Sequence, residues 1–242
     1  MPLRLLALTI DADDPVGLSE FWRAVLDWGR VDRPDGVPTL QPQDDTGFLL
    51  RFPPTDAPNE RPHQVHLDLT STSLEDQQDR VALALSLGAT HLDVGQRPEE
   101  GHVVLADPEG NEFCVLGPDN RFLAGCPLLG ALAGDGTAAV GRFWSAALGW
   151  PLVWDQDEET AIQSPHGGPK ITWGGPPVLP KHGKNRLHLD LEAARGDGMV
   201  EVEVDRLVAL GATRVDIGQG EVAHVVLADP DGNEFCVHPA SD

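Results

Sequence analysis

The chain has 242 residues, 40% of them hydrophobic, and carries 17 basic against 39 acidic side chains for a net charge of −22. A field of that sign repels phosphate backbones and anionic lipid, so no nucleic-acid or membrane partner is expected. Three cysteines, Cys114, Cys126 and Cys236, make no disulfide framework and fit a reducing cytoplasm, while the early acids of "MPLRLLALTIDADD" argue against a secretory signal.

The first strand reads as "LRLLALTI" (3–10), and Asp13-Asp14-Pro15 supplies an N-cap and a first-turn proline for a helix. Leu18, Phe21, Trp22, Val25 and Leu26 recur at helical spacing, so the Phe-Trp pair reads as core rather than as a stacking platform. "GFLLRF" (47–52) returns as a strand. "VHLDL" (65–69) is the next strand, and Ser73 and Gly88 bracket the helix after it. "HVVLA" (102–106) and "NEFCV" (111–115) form a hairpin about Asp107-Pro108-Glu109-Gly110, a run with turn chemistry. "GPDNRFLAGCP" (117–127) has the composition of a linker.

The pattern then repeats. "FWSAALGW" (143–150) matches "FWRAVLDW" (21–28), and "LHLDL" (187–191) matches "VHLDL". "HVVLADPDGNEFCV" (224–237) differs from "HVVLADPEGNEFCV" (102–115) at one position. Self-similarity at this length signals tandem domains. "MVEVEVDRLVALG" (199–211) alternates like a strand at Val200, Val202 and Val204. Val200, Val204, Leu207 and Val208 also share a helical face, and alignment with the first copy selects helix. Each half thus reads βαβββ-βαβββ. The expected fold is α+β, with domains at 1–118 and 125–242 and a linker at 119–124. Each domain is expected to form a curved mixed sheet with outer helices.

Strand parity selects candidate site residues. In "VHLDL", His66 and Asp68 share the face opposite Val65, Leu67 and Leu69, and in "NEFCV", Glu112 and Cys114 share a face opposite Phe113 and Val115. The second half keeps His188, Asp190, Glu234 and Cys236. His102 and His224 join them if they face inward, which their all-apolar strand leaves open. Glu112 and Glu234 are candidate general bases with the histidines as acids, against the plainer reading of salt-bridged carboxylates. Cys114 and Cys236 read either as small buried residues or as thiolates for metal binding or nucleophilic attack.

The four modules, with "KNRLHLDL" (184–191), "FWSAALGW" and "DPDGNEFCV" (229–237), resemble the vicinal oxygen chelate superfamily, in its glyoxalase-like branch. That superfamily groups glyoxalase I, bleomycin- and fosfomycin-resistance proteins and extradiol dioxygenases. The resemblance implies a small molecule bound on the concave polar face of each domain. It aligns His66 and His188 with a metal-binding histidine, and Cys114 and Cys236 with a metal-binding glutamate. Counting back from the Phe-Trp helix puts the family's other histidine at Ala7 and, in the second half, Leu129. The fourth ligand falls near Leu50 and Arg51, or near Trp173, where no carboxylate stands.

With one histidine left of the usual set, no cofactor or metal is expected. A divalent ion, if held, would use His66, Cys114, His188 or Cys236. The expected function is to bind or transform a metabolite or antibiotic, with His66, His102, Glu112, His188, His224 and Glu234 as catalytic candidates if the chain is an enzyme. A metal-dependent lyase, isomerase or dioxygenase is the alternative. Arg51 and Trp173 on equivalent strands imply one site for an anionic ligand and one for a flat apolar ligand. Domains of this kind associate around a pseudo-two-fold, which one chain can satisfy as a monomer, or two as a dimer.

Overall fold

The computed structural model describes residues 3–59 and 64–240. Four modules follow one another. The first is β1 (Arg4–Ile10), α1 (Pro15–Leu26), β2 (Gly29–Arg30), β3 (Thr39–Gln41) and β4 (Leu49–Arg51). The second is β5 (Val65–Leu69), α2 (Leu74–Ser86), β6 (Thr90–His91), β7 (His102–Ala106) and β8 (Glu112–Leu116). The third is β9 (Leu129–Gly134), α3 (Ala138–Leu148), β10 (Leu152–Gln156), β11 (Glu159–Gln163) and β12 (Lys170–Trp173). The fourth is β13 (Leu187–Glu192), α4 (Met199–Leu210), β14 (Thr213–Arg214), β15 (Val225–Ala228) and β16 (Glu234–His238).

Local chemistry sets the helix boundaries. Asp14 Oδ1 accepts from Gly17 N at 3.0 Å with Pro15 in the first turn, and Ser73 Oγ accepts from Asp76 N at 3.0 Å. The ambiguous segment is helical: α4 buries Val204 and Leu207 and leaves Val202 exposed, a 3.6-residue pattern that a strand cannot produce. No helix among the described residues is long and apolar enough to cross a membrane.

Two eight-stranded mixed sheets form, in the orders β14-β15-β16-β13-β1-β4-β3-β2 and β10-β11-β12-β9-β5-β8-β7-β6. The α+β class and the module build stand. The expectation that 1–118 and 125–242 each close their own sheet is corrected, because each sheet takes one module from each half. β1 runs antiparallel to β13 and β5 antiparallel to β9, so modules one and four share a sheet, as do two and three. β5 and β13 are near-identical, VHLDL and LHLDL, so local pattern does not tell β1 which of them to pair with.

What joins the modules of one half is the helical layer. Trp22 of α1 packs edge-on against Phe113 of β8, centroids 5.1 Å apart, and Trp144 of α3 against Phe235 of β16 at 4.9 Å. All four rings are buried in one continuous core, each contributing on the order of 2–3 kcal/mol. The hairpin turns add caps. Glu109 accepts from Asp13 N and Asp14 N at 2.8 and 2.7 Å, and Asp231 accepts from Thr137 N at 2.6 Å. Each turn thus neutralises the N-terminus of its own half's first helix.

Candidate functional site

Cross-strand partners point the same way, so the register sorts side chains by face. In the first sheet Thr9 lies opposite both His188 and Arg51, and Asp190 lies beside Cys236. His238 and His224 fall on the same face, two positions beyond Cys236 and two before its partner Val226. The helices pack on the opposite, Phe235-bearing side. In the second sheet the corresponding face carries His66, Asp68 and Cys114 with Ala133, Thr172, Lys170 and Gln163. His102 pairs with Leu116 two residues past Cys114, which settles its open parity inward.

The two faces differ in access. The first opens into a cavity of about 640 Å³ walled by Arg51, Lys184, His188, His224, Cys236 and His238. The connector between β8 and β9 crosses the second over its Lys170–Gln163 end and leaves the His66 side chain 35% exposed, against 8% for His188. Lys170 Nζ donates to the Phe122 carbonyl and sits 4.3 Å above its ring, Gln163 reaches Cys126 Sγ at 3.7 Å, and Leu123 is buried. A hollow of about 550 Å³ lies against Phe122 and Trp154, with neither His66 nor Cys114 on its wall. The asymmetry follows from chain order: that connector joins two strands of the second sheet only.

Charges in the open cavity form a network. Asp190, 2% exposed, accepts from Thr9 Oγ1 at 2.8 Å and lies 3.7 Å from Arg51, 3.2 Å from His188 Nδ1 and 3.5 Å from His238 Nε2. Asp35 holds the other side of Arg51, and Asp11 pairs with Lys184 and faces His188 Nε2 at 3.5 Å. Burial alone would raise the Asp190 carboxyl, but His188 and His238 outweigh it and hold it well below the carboxylate range. Burial likewise opposes charge on His238, yet Asp190 and Cys236 carry it up to about 9, and Asp11 and Asp190 raise His188. The Cys236 thiol is pushed up by burial and brought down to about 5 by His188, His224 and His238. In the second sheet burial prevails over His66 and the Cys114 thiol is raised, while Asp68 and Cys114 together lift His66 to about 10.

Other candidates fall elsewhere. Trp173 is not the counterpart of Arg51; Thr172 is, because Thr172 shares the Ala133–His66 row. Trp173 points to the helix side over Gly136 and Gly141 and is 6% exposed, which removes it as a stacking platform on the candidate face. Trp173 lines the hollow near Phe122 and a second, smaller pocket beside Trp144 and Leu187. Glu234 is tied to Lys181 and to Asn185 N at 3.2 Å, the salt-bridged reading rather than a free base. Glu112 stands at the start of β8, half-buried. Thr9, Asp11, Lys184 and His238 belong to the site and were not among the sequence candidates.

A family model described as glyoxalase-like domain matches residues 7–116 and again 131–238. The chain belongs to the glyoxalase-like domain family. Among solved structures, glyoxalase I from Zea mays aligns with a TM-score of 0.64 at 13% identity, covering 97% of this chain and 92% of its own. A single-site variant of that enzyme aligns at 0.63 and 13%, covering 98% and 94%. At that identity the likeness speaks for fold alone. No curated protein matches the chain significantly.

The family likeness raises the question of a divalent metal. Donor atoms of His188, Asp190 and Cys236 lie within 4.8 Å of one another, as do those of His66, Asp68 and Cys114. The surroundings do not fit the family's centre. The register makes Ala131, not Leu129, the counterpart of Ala7, since Ala7 pairs with Asp190 and Ala131 with Asp68, and both positions offer only a methyl group. Arg51 brings a cation to the place of the fourth ligand. Both ring nitrogens of His188 face carboxylates, a setting for an imidazolium, which has no lone pair to give.

Proposed function

We propose that this glyoxalase-like chain binds, and transforms or sequesters, a small organic molecule that presents clustered acceptor oxygens, a carboxylate above all, in the open cavity of the first sheet. The observation that carries this reading is the cavity wall itself. Arg51, His188 and His238 are cationic donors there, and Arg51 Nε and His238 Nε2 are buried without a hydrogen-bond partner among the described residues. Donors so placed cost free energy until an acceptor meets them. The cavity, at about 640 Å³, has the size of a small-metabolite site. Binding is expected in the first-sheet cavity, where these donors converge, and it needs none of the family's metal chemistry. The convergence of His188, Asp190 and Cys236 is what favours the second reading, a metal-dependent lyase, isomerase or dioxygenase.

The test is a thermal-shift panel of small carboxylates, phosphates and uncharged analogues, run with chelator present. A ligand at a hundred times its Kd adds about 2.7 kcal/mol, a rise of roughly 5–10 °C for a chain of this size. Shifts from carboxylates that vanish in Arg51→Ala support the reading. Shifts that appear only with added divalent metal, or that survive Arg51→Ala, overturn it.

A further inference from the structure

Arg51 stands on the wall of the open cavity between two carboxylates. Asp35 grips its Nη2, and Asp190 lies 3.7 Å from its Nη1. The Arg51 side chain is 13% exposed, and its Nε is buried with no hydrogen-bond partner among the described residues. The two acids are held differently. Asp190 is buried, accepts from Thr9 Oγ1 at 2.8 Å and has His188 and His238 beside it. Asp35 is half-exposed and sits in the irregular stretch between β2 and β3, where its Oδ1 accepts from Val37 N at 3.1 Å. That local bond fixes the Asp35 carboxylate on the wall independently of Arg51. Lys184 is taken by Asp11, while Asp56, exposed on the same wall, makes no ion pair among the described residues. Of the wall's Asp, Arg and Lys side chains, the one left unpaired is therefore an acid.

A ligand carboxylate that reaches Arg51 Nε comes to rest on the same guanidinium as Asp35. Two carboxylates on one cation repel each other. The chain's net charge of −22 also opposes the arrival of a bare anion. A positive group on the ligand removes both penalties. It turns the contact with Asp35 into a charge-assisted hydrogen bond, and it leaves the ligand with no net charge. We propose that this cavity takes amino-carboxylates, with the ligand's carboxylate on Arg51 and its ammonium on Asp35. The proposal rests on the carboxylate reading above and adds a second point of recognition to it. Arg51 then selects carboxylates over amines, and Asp35 selects zwitterions over plain acids.

The experiment titrates the intact protein by calorimetry with ω-amino acids from glycine to 6-aminohexanoate. Each is run beside the plain acid of the same chain length, and butylamine is run as the amine alone. At the matching chain length the amino-carboxylate is expected to bind about tenfold more tightly than its plain acid. Asp35→Asn keeps the acceptor for Val37 N and removes only the charge. It is expected to erase the lead from both sides, weakening the amino-carboxylate and strengthening the plain acid severalfold. Arg51→Ala is expected to abolish binding of both. If Asp35→Asn weakens both ligands alike, Asp35 merely supports the wall and the proposal fails. Plain acids that bind as tightly as amino-carboxylates at every chain length also overturn it, and their loss in Arg51→Ala would leave the carboxylate reading standing alone. Butylamine binding as tightly as the amino-carboxylates would discard the two-point recognition. No binding by either series, or binding that survives Arg51→Ala, overturns this proposal and the carboxylate reading together.

Discussion

Trp22 Nε1 donates to Asp107 Oδ2 at 3.1 Å across 85 positions, and Trp144 Nε1 donates to Asp229 Oδ2 at the same distance across the same 85. This pair explains why the hairpin turn recurs almost unchanged. Asp107 also accepts from Glu109 N, Asn111 N and Asn111 Nδ2, so one carboxylate both shapes the turn and docks a helix. Burial pushes that carboxyl up to about 6 in spite of its four donors. Trp22→Phe removes one donor and is expected to cost about 1–2 kcal/mol, whereas Asp107→Ala strands all of them and costs on the order of 3 kcal/mol. Urea midpoints check the order, and an Asp107→Ala cost below that of Trp22→Phe would contradict the docking role.

The shared sheets make a second expectation. Arg4 of β1 lies opposite Glu192 of β13, their side chains 2.8 Å apart. Oxidised Arg4→Cys/Glu192→Cys is expected to form a crosslink within one chain, seen as a joined peptide pair. Closing so long a loop adds about 5 kcal/mol in the chain-entropy limit. Monomers lacking that peptide pair would mean that the halves close separate sheets.

Stability should fall as the solution is made alkaline, with His66 and His188, both raised in the folded chain, as the causes. The folded pKa of His66, about 10, is above the usual 6.5, so its contribution is full below pH 6.5 and is lost as pH climbs toward 10. Cys114 stays a thiol through most of that window and does not offset it. His238 is also raised, to about 9, but Cys236 is lowered to about 5, so the folded pair holds one proton where the unfolded pair also holds one. His66→Gln is therefore expected to flatten the decline in urea midpoint between about pH 6.5 and 9, and His238→Gln to alter it much less. The reverse ranking would contradict these assignments.

The sequence makes the modules, the buried Phe-Trp helices and the inward rows of His188, Asp190 and Cys236 legible, because each depends on local periodicity or parity. Partner choice between modules is not local. Ala131 is missed by two positions because the stretch from it to Phe143 is two residues shorter than that from Ala7 to Phe21, so a fixed count back from the Phe-Trp pair overshoots. Trp173 is misplaced by one position, which in a strand reverses its face. The signal for His238 is present, since the parity of Cys236 continues to it. A reading built on residues common to both halves passes over it, because the first half has Leu116 there.

Elemental analysis of protein purified without added metal tests most directly whether the chain lacks the family's metal centre. Ala7 and Ala131 offer no donor, and Arg51 adds a cation to the cavity wall, so well under one divalent ion per chain is expected. About two zinc or iron ions per chain, lost together in His66→Ala/His188→Ala, would contradict the account.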